Sequence, residues 1–310
     1  MAANKRTYQN LLQGSMILAV ATALGAKSVL KVSRSESGDT ITYAQMYQSH
    51  TDAEVIINTT PCGMYPNTET VAIDIDKFPA LCAVVDAVYN PLNSRLVCLA
   101  KENGIKAVGG LYMLVAQAAH AAEKFVGQSV SEEKIDAVYK AIVKEKKNIV
   151  LIGMPSSGKS TIGKEIAKKL KMDFVDSDEL IVEKAKMPIP EIFEKYGEGE
   201  FRKMETEAIL EISKKQHTVI ASGGGAVLNF ENIRLLSQNG RIYFIDRPLS
   251  SLLATGDRPL SSSREALKQR YNERYDIYKS SCHYHLKASD SIEENVQKII
   301  EEFKNEASCS

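Results

Sequence analysis

Short apolar runs closed by polar or glycine-rich sequence recur along the whole chain. In the first half they read "SVLKVS" (28–33), "EVIINTT" (54–60), "AVVDAVY" (83–89) and a brief "KAVGG" (106–110). In the second half they read "NIVLIG" (148–153), "DFVDSD" (173–178), "HTVIASGGG" (217–225), "RIYFID" (241–246) and a weaker "CHYHLKAS" (282–289). Between them lie segments with helical spacing, such as "NSRLVCLAKENG" (93–104) and "LYMLVAQAAHAAEKF" (111–125). Strand-like runs alternating with helical segments predict two α/β units with largely parallel sheets.

The pattern also marks a seam. In "SVSEEKIDAVYKAIVKEKKN" (129–148), Ile135, Val138, Tyr139, Ile142 and Val143 recur at i, i+3, i+4, i+7 and i+8. Ser131 precedes the run as a candidate cap, acids fill its first turn and lysines its last, as a helix dipole favours. The expected organisation is therefore an α/β segment over 1–130, a linker helix over 131–146 and a second domain over 147–310.

A chain of 310 residues has room for two ordinary domains. Lys+Arg and Asp+Glu are equal at 39 each, so no global field attracts nucleic acid or an acidic membrane, and neither is expected as a partner. Any anion must be held by locally placed groups. Cys62, Cys82, Cys98, Cys282 and Cys309 are odd in number and show no CxxC or zinc-ligand spacing. They read as reduced thiols of a cytoplasmic protein. Lys5 and Arg6 followed by "SMILAVATALGA" (15–26) imitate a signal peptide. Because that stretch runs straight into "SVLKVS", it is read as part of the fold. No other apolar run approaches the roughly 18–20 residues that span a bilayer.

The sharpest chemistry lies in "NIVLIGMPSSGKSTIGKEIAKKL" (148–170), where Gly153, Gly158, Lys159 and Ser160 satisfy G-x-x-x-x-G-K-[ST]. Glycines let successive backbone N–H groups turn inward, and the following helix points its positive end at the same place. Lys159 would reach the β- and γ-phosphates, and the Ser160 hydroxyl would ligate Mg²⁺. A glycine turn with a surface lysine is the bland alternative; strand before and helix after argue against it. The loop predicts a nucleoside triphosphate and leaves the acceptor open.

Four weaker features bear on the acceptor. Asp176 and Asp178 close the second strand, and alternation along it would turn both carboxylates to one side, one for the metal and one for a hydroxyl proton. Arg202 and Glu205 stand three apart on a predicted helix, so the acid can aim the guanidinium at a carboxylate. "SGGG" (222–225) removes side chains at a strand's end, where a small ligand could approach the backbone. "TGDRPLSSSREALKQRYNERYDIY" (255–278) suits a lid bearing Arg258, followed by a helix bearing Arg274. Each has an ordinary reading as well: a capped helix start, an exposed ion pair, a flexible turn, and a solvated basic helix carrying Arg264, Lys268, Arg270 and Arg274.

Together, in order, the phosphate loop, "DSD", "FR" with its glutamate, "GGG", "RPL" and "RxxxY" resemble shikimate kinase over roughly residues 147–305. The resemblance implies a P-loop fold of the nucleoside-monophosphate-kinase kind, a five-stranded parallel sheet with flanking helices. It implies transfer of the γ-phosphate of ATP to the 3-hydroxyl of shikimate. Ser156, Ser157, Gly158, Lys159, Ser160 and Thr161 would bind ATP, with Ser160 and Asp176 toward Mg²⁺. Asp178 would polarise the 3-hydroxyl; Arg202 and Arg274 would clamp the shikimate carboxylate, with Gly224 against the ring; Arg258 would close over ATP. Lys159, Asp178 and Arg258 are the expected catalytic groups, and the kinase domain is expected to be monomeric. A kinase of another small hydroxy acid, such as gluconate, stays open from the residues alone.

"INTTPCGMYPN", "VYNPL" and "GGLYMLVAQAA" resemble the carboxyl-terminal, NADP-binding half of shikimate dehydrogenase, over roughly 16–127. That resemblance implies Arg34 toward an NADP 2′-phosphate and Tyr89, Gly110 and Gln117 toward substrate or nicotinamide. A Rossmann unit seats its pyrophosphate on a strand and a glycine-rich turn. Here only Gly14 precedes the first helix, and the family's catalytic domain has no counterpart. The expectation is an incomplete Rossmann-like segment that does not bind NADP, with an exposed sheet edge and the lower stability of the two halves. A working bifunctional dehydrogenase–kinase is the competing reading.

Overall fold

In the computed structural model, which describes Thr22, residues 25–252 and residues 264–309, the chain divides between Leu114 and Val115. In the first unit β1 (Lys31–Ser33) pairs in parallel with β2 (Thr40–Thr42), and α1 (Tyr43–Ser49) follows at once. Thr42 caps α1 reciprocally: its hydroxyl accepts from the Gln45 N–H, and its own N–H donates to the Gln45 side chain at 2.7 Å. A second parallel sheet sets β3 (Val55–Asn58), β4 (Ala83–Asp86) and β5 (Lys106–Val108) side by side in that order, covered by α2 (Arg95–Glu102). Met46, Ile56, Phe78, Val84 and Leu96 form its core.

Two features differ from the sequence pattern. "SVLKVS" is extended only over its last three residues, and β2 is a strand that three residues of "TIT" could not announce by periodicity. β3 sits at the edge of its sheet among the described strands and leaves Val55 49% exposed. Gly14 and most of 15–26 lie outside the described residues. At the centre of this unit Asp86 is wholly buried. Burial pushes its pKa up, against three donors: Asn58 Nδ2 at 2.9 Å, Val88 N at 3.0 Å and Ser94 Oγ at 2.5 Å. The carboxylate ties the ends of β3 and β4 to the start of α2.

α3 (Leu111–Val126) contains the division, and α4 (Glu132–Lys146) leads into the larger sheet. Ile135 and Val143 of α4 are buried, but Val138 is 50% exposed, so its apolar face is narrower than the spacing predicts. Ser131 occupies the cap position without a side-chain bond to the helix backbone; it bonds the Glu133 carboxyl instead.

The second unit runs β6 (Asn148–Ile152), α5 (Lys159–Leu170), β7 (Asp173–Asp176), α6 (Ser177–Ala185), α7 (Ile189–Ser213), β8 (Thr218–Ala221), α8 (Phe230–Ser237), β9 (Gly240–Asp246), α9 (Arg264–Ser281), β10 (Tyr284–Lys287) and α10 (Ile292–Cys309). Its five strands are all parallel, in the order β10-β9-β6-β8-β7. β6 and β8 are buried along their whole length, which is why they read as unbroken apolar runs. Alternation sends Val150 and Ile152 into one layer with Ile209, Ile220, Phe244 and Tyr278, and Ile149 and Leu151 into the other with Ile162, Ile166, Ile299 and Phe303. Truncating such a residue, Ile220→Ala for instance, costs about 2–5 kcal/mol.

After β6 the chain passes outside β8 to form β7, so the carboxyl end of β6 is a topological switch point, the place where open parallel sheets hold ligands. At the opposite face of the strands, a trough of about 470 Å³ is walled by Arg241, Tyr284, Lys298, Glu302 and Glu306. Arg241 Nε there pairs with Glu302 at 3.0 Å and the neighbouring Tyr243 hydroxyl donates to Glu302 at 2.6 Å, so these bonds anchor α10 to β9; Lys298 pairs with Glu294 at 2.6 Å.

Candidate active site

The loop after β6 turns on three positive φ angles, +148° at Gly153, +64° at Ser156 and +93° at Gly158. Gly153 has a second reason to be glycine: a Cβ there would stand 2.7 Å from the Ile245 carbonyl oxygen. α5 then opens at Lys159, whose first-turn N–H groups have no partner within the helix. The Lys159 ammonium is buried and donates to the Gly153 and Met154 carbonyls at 2.9 and 2.8 Å. Ile162 and Ile166 seat the helix on the sheet.

Ser160 Oγ donates to Asp176 Oδ2 at 2.5 Å. The other Asp176 oxygen accepts the Asp178 N–H at 2.9 Å and so caps α6. The expected strand alternation therefore does not apply. The strand ends at Asp176, and Asp178 stands in the first turn of a helix because that cap starts the helix two residues earlier. Both carboxyls still reach one hollow of about 270 Å³, lined by Ser156, Gly158, Lys159, Ser160, Thr161, Asp176, Asp178 and Ser222. The Ser160–Asp176 oxygens are hard donors of the kind Mg²⁺ takes when phosphate and water complete its shell. Among the described residues no group of three His, Cys, Asp or Glu side chains could hold a metal by itself.

The glycine triplet after β8 explains how the remaining residues meet. None of the three has a positive φ, so space, not conformation, demands glycine. A Cβ on Gly223 would lie 2.5 Å from Asp178 Oδ1 and 2.8 Å from Glu205 Oε1. One on Gly224 would lie 2.7 Å from the Pro155 ring, and one on Gly225 2.1 Å from Arg202 NH1. The missing side chains admit the protein's own groups from α6, α7 and the phosphate loop.

Arg202 NH1 donates to Glu205 Oε2 at 2.8 Å and its NH2 to Glu198 Oε1 at 3.0 Å. Glu205 is only 1% exposed, so this is not the exposed surface pair that its spacing alone would suggest. Burial raises the Glu205 pKa; Arg202 pulls it down, and Asp178 nearby pushes it up. From α9, Arg274 NH1 donates to the Gly224 carbonyl at 3.0 Å, and the Tyr278 hydroxyl donates to the same oxygen at 2.5 Å. Tyr278 stacks on Phe244, and burial pushes its pKa up to about 12. Glu205 Oε1 and Arg274 Nε are buried without a partner.

Of the sequence-predicted residues, Ser156, Gly158, Lys159, Ser160, Thr161, Asp176 and Asp178 line one hollow, whereas Ser157 is buried and does not; Arg202, Gly224 and Arg274 gather at the glycine triplet beside Asp178. Arg258 lies outside the described residues. In the first unit Arg34 is exposed after β1, Tyr89 is exposed after β4, and Gly110 packs so tightly that a Cβ would meet the Ala87 carbonyl oxygen at 2.2 Å. Gln117 is half-buried on α3. Sequence reasoning assigned no part to Pro155, Glu198 or Tyr278. Only Tyr278 carried a signal, its i+4 spacing from Arg274.

The family model described as shikimate kinase matches residues 155–304. A shikimate kinase of Clostridium botulinum (strain Eklund 17B / Type B) is 46% identical over 158 residues, covering 50% of this chain and 95% of that protein. The structure of shikimate kinase from Acinetobacter baumannii in complex with shikimate is 30% identical, covers 54% of this chain and 98% of that one, and superposes with a TM-score of 0.51. A chorismate mutase/shikimate 5-dehydrogenase fusion protein from Clostridium acetobutylicum is 31% identical, covering 41% of this chain and 48% of that one, with a TM-score of 0.38.

Proposed function

The chain belongs to the shikimate kinase family, and from that premise we propose how its residues move the γ-phosphoryl group of ATP onto the 3-hydroxyl of shikimate. The observation that carries this reading is the packing at Gly223, where Asp178 and Glu205 come close enough to exclude a single methyl group, beside the loop that buries Lys159. A phosphate cradle, a carboxylate base and an aimed guanidinium thereby share one place.

In this reading the N–H groups of Gly158 to Thr161 and the Lys159 ammonium hold the β- and γ-phosphates. Lys159 leaves its two loop carbonyls for phosphate oxygens when nucleotide enters. Ser160 and Asp176 hold Mg²⁺, which supplies charge neutralisation on the phosphate oxygens when bound. Asp178 accepts the proton of the shikimate 3-hydroxyl as that oxygen bonds to the γ-phosphorus and the bond to the ADP oxygen breaks. Arg202 and Arg274 grip the carboxylate, a remote contact that fixes the hydroxyl in line with the phosphate. Glu205 aims Arg202, and the paired Tyr278 and Arg274 bonds to Gly224 set the distance between α9 and the glycine triplet. Arg258 is proposed to neutralise the transferred phosphoryl group. The reaction draws on cytoplasmic ATP, and among the described residues no helix is long and apolar enough to cross a membrane.

An ADP-release assay with ATP, Mg²⁺ and shikimate, run beside gluconate and quinate, tests the assignment. Turnover with shikimate alone is expected. Turnover of gluconate at a comparable rate would reject the substrate.

A further inference from the structure

α9 carries a second arginine on the face of Arg274, one turn earlier, at Arg270. Its spacing and the charges around it suggest a solvated basic helix; Lys268, Gln269 and Glu273 are exposed as that predicts, but one donor of Arg270 departs from it. The NH1 of Arg270 is buried and, among the described residues, donates to nothing. The charges acting on the guanidinium are those of Arg274 and Arg202, which oppose it, and of Glu198 and Glu273, which favour it. Glu198 is the same carboxylate that already receives Arg202 at 3.0 Å. Three cations thus lie within electrostatic reach of one another, and two of them, Arg202 and Arg274, sit at the glycine triplet.

The orphaned polar atoms point the same way. Glu205 Oε1, Arg270 NH1 and Arg274 Nε are all buried and unpartnered, and all belong to this cluster. A buried guanidinium N–H without an acceptor, beside two like charges, destabilises the empty protein. Natural folds keep such an arrangement where a ligand supplies the missing acceptor. On the reading given above, the ligand's one full negative charge is a carboxylate.

We infer that Arg270 is a third guanidinium of the acceptor site, donating its buried NH1 to the carboxylate that Arg202 and Arg274 also hold, and so a specificity-determining residue for an anionic acceptor. Glu198 balances part of the cluster's charge while the site is empty. The inference rests on the shikimate assignment.

The test is Arg270→Gln in the full chain, compared with wild type by steady-state kinetics, calorimetric binding of shikimate and of its methyl ester, and thermal melting. The KM and Kd for shikimate should rise about 10- to 100-fold, the loss expected for one charge-assisted bond. Saturating kcat and the KM for ATP should stay within about threefold. Affinity for the methyl ester should change little, so the preference for acid over ester should shrink by the same factor. Melting of the unliganded variant should be unchanged or higher, because a buried N–H without an acceptor and a like charge beside Arg274 have been removed. Arg270→Lys, which keeps charge but not the fork, should recover only part of the affinity.

Shikimate constants within twofold of wild type would overturn the inference. So would equal losses for acid and ester, or a fall in melting temperature with ATP and shikimate constants moving together, which marks a structural role. A wild-type protein that neither binds nor phosphorylates shikimate removes the underlying reading, and this inference with it; that result is seen before any variant is made.

Discussion

Glu205 holds Arg202 with only one of its two carboxylate oxygens: Oε2 accepts NH1 at 2.8 Å, while Oε1 is buried and unpartnered beside Gly223. The pair therefore has a free acceptor facing the site. It also has an energetic consequence, since burial lifts the Glu205 pKa above its ordinary 4.5 despite the guanidinium.

That shift fixes a sign. A carboxyl whose folded pKa is raised contributes stability that is fully present below its unfolded pKa and is lost as pH rises through the folded value. Melting of the unliganded protein, followed upward from pH 4.5, should show such a loss, and Glu205→Gln should remove it. The same variant should raise the KM for shikimate at neutral pH, because an amide aims Arg202 less firmly than a carboxylate. A Glu205→Gln melting profile parallel to wild type would reject the assignment of the titration to this residue.

Asp178→Asn should lower kcat by about 10²–10⁴-fold through loss of the base. It should not destabilise the fold. Asp178 pushes the Glu205 pKa up, so removing its charge relieves a like-charge contact. Rapid-quench kinetics beside a thermal melt separate the two effects; a variant that is inactive because it is unfolded would not support the role.

Tyr278→Phe keeps the stack on Phe244 and removes the hydroxyl that donates to the Gly224 carbonyl and also meets Arg274. Arg274 still satisfies that oxygen, so the stability loss should be near the net value of one hydrogen bond, about 0.5–1.5 kcal/mol. With α9 less firmly held to the glycine triplet, KM for shikimate should rise several-fold while the nucleotide constant stays the same. Denaturant titration and KM measurements for both substrates check this.

Two glycine substitutions in one protein should have opposite outcomes. Gly223→Ala puts a methyl 2.5 Å from Asp178 Oδ1 and should abolish turnover. Gly199→Ala, two residues after the break in α7 at Gly197 and with nothing within 4 Å of the new Cβ, should keep turnover and leave stability unchanged or slightly higher. Equal activity in both variants would mean that the glycine triplet does not govern the site.

What was legible in the sequence was local or repeated at short range. The buried strands β6 and β8 announced themselves as apolar runs, the phosphate loop as a spacing of glycines and a lysine, and Arg202–Glu205 as a three-residue interval. What escaped depended on geometry across elements. Asp178 was placed on a strand because alternation takes no account of a cap, and the Asp176 bond to its N–H turned the chain into a helix there. Val138 follows helical periodicity but is half exposed, because periodicity describes a face and not what covers it.

Residue order alone specifies an α/β chain with a parallel nucleotide-binding sheet, the succession of its motifs and the chemistry each could supply. The reason is that backbone propensity, side-chain alternation and loop conformation act over a few residues. It took the packed fold to show that Asp178, Glu205, Arg202 and Pro155 fill the spaces left by three absent side chains. It alone decided that Arg270, one basic residue among several on its helix, has a buried donor with no acceptor. Those outcomes turn on distances between side chains far apart in the chain, and on which polar atoms lose their water when the helices close over the sheet.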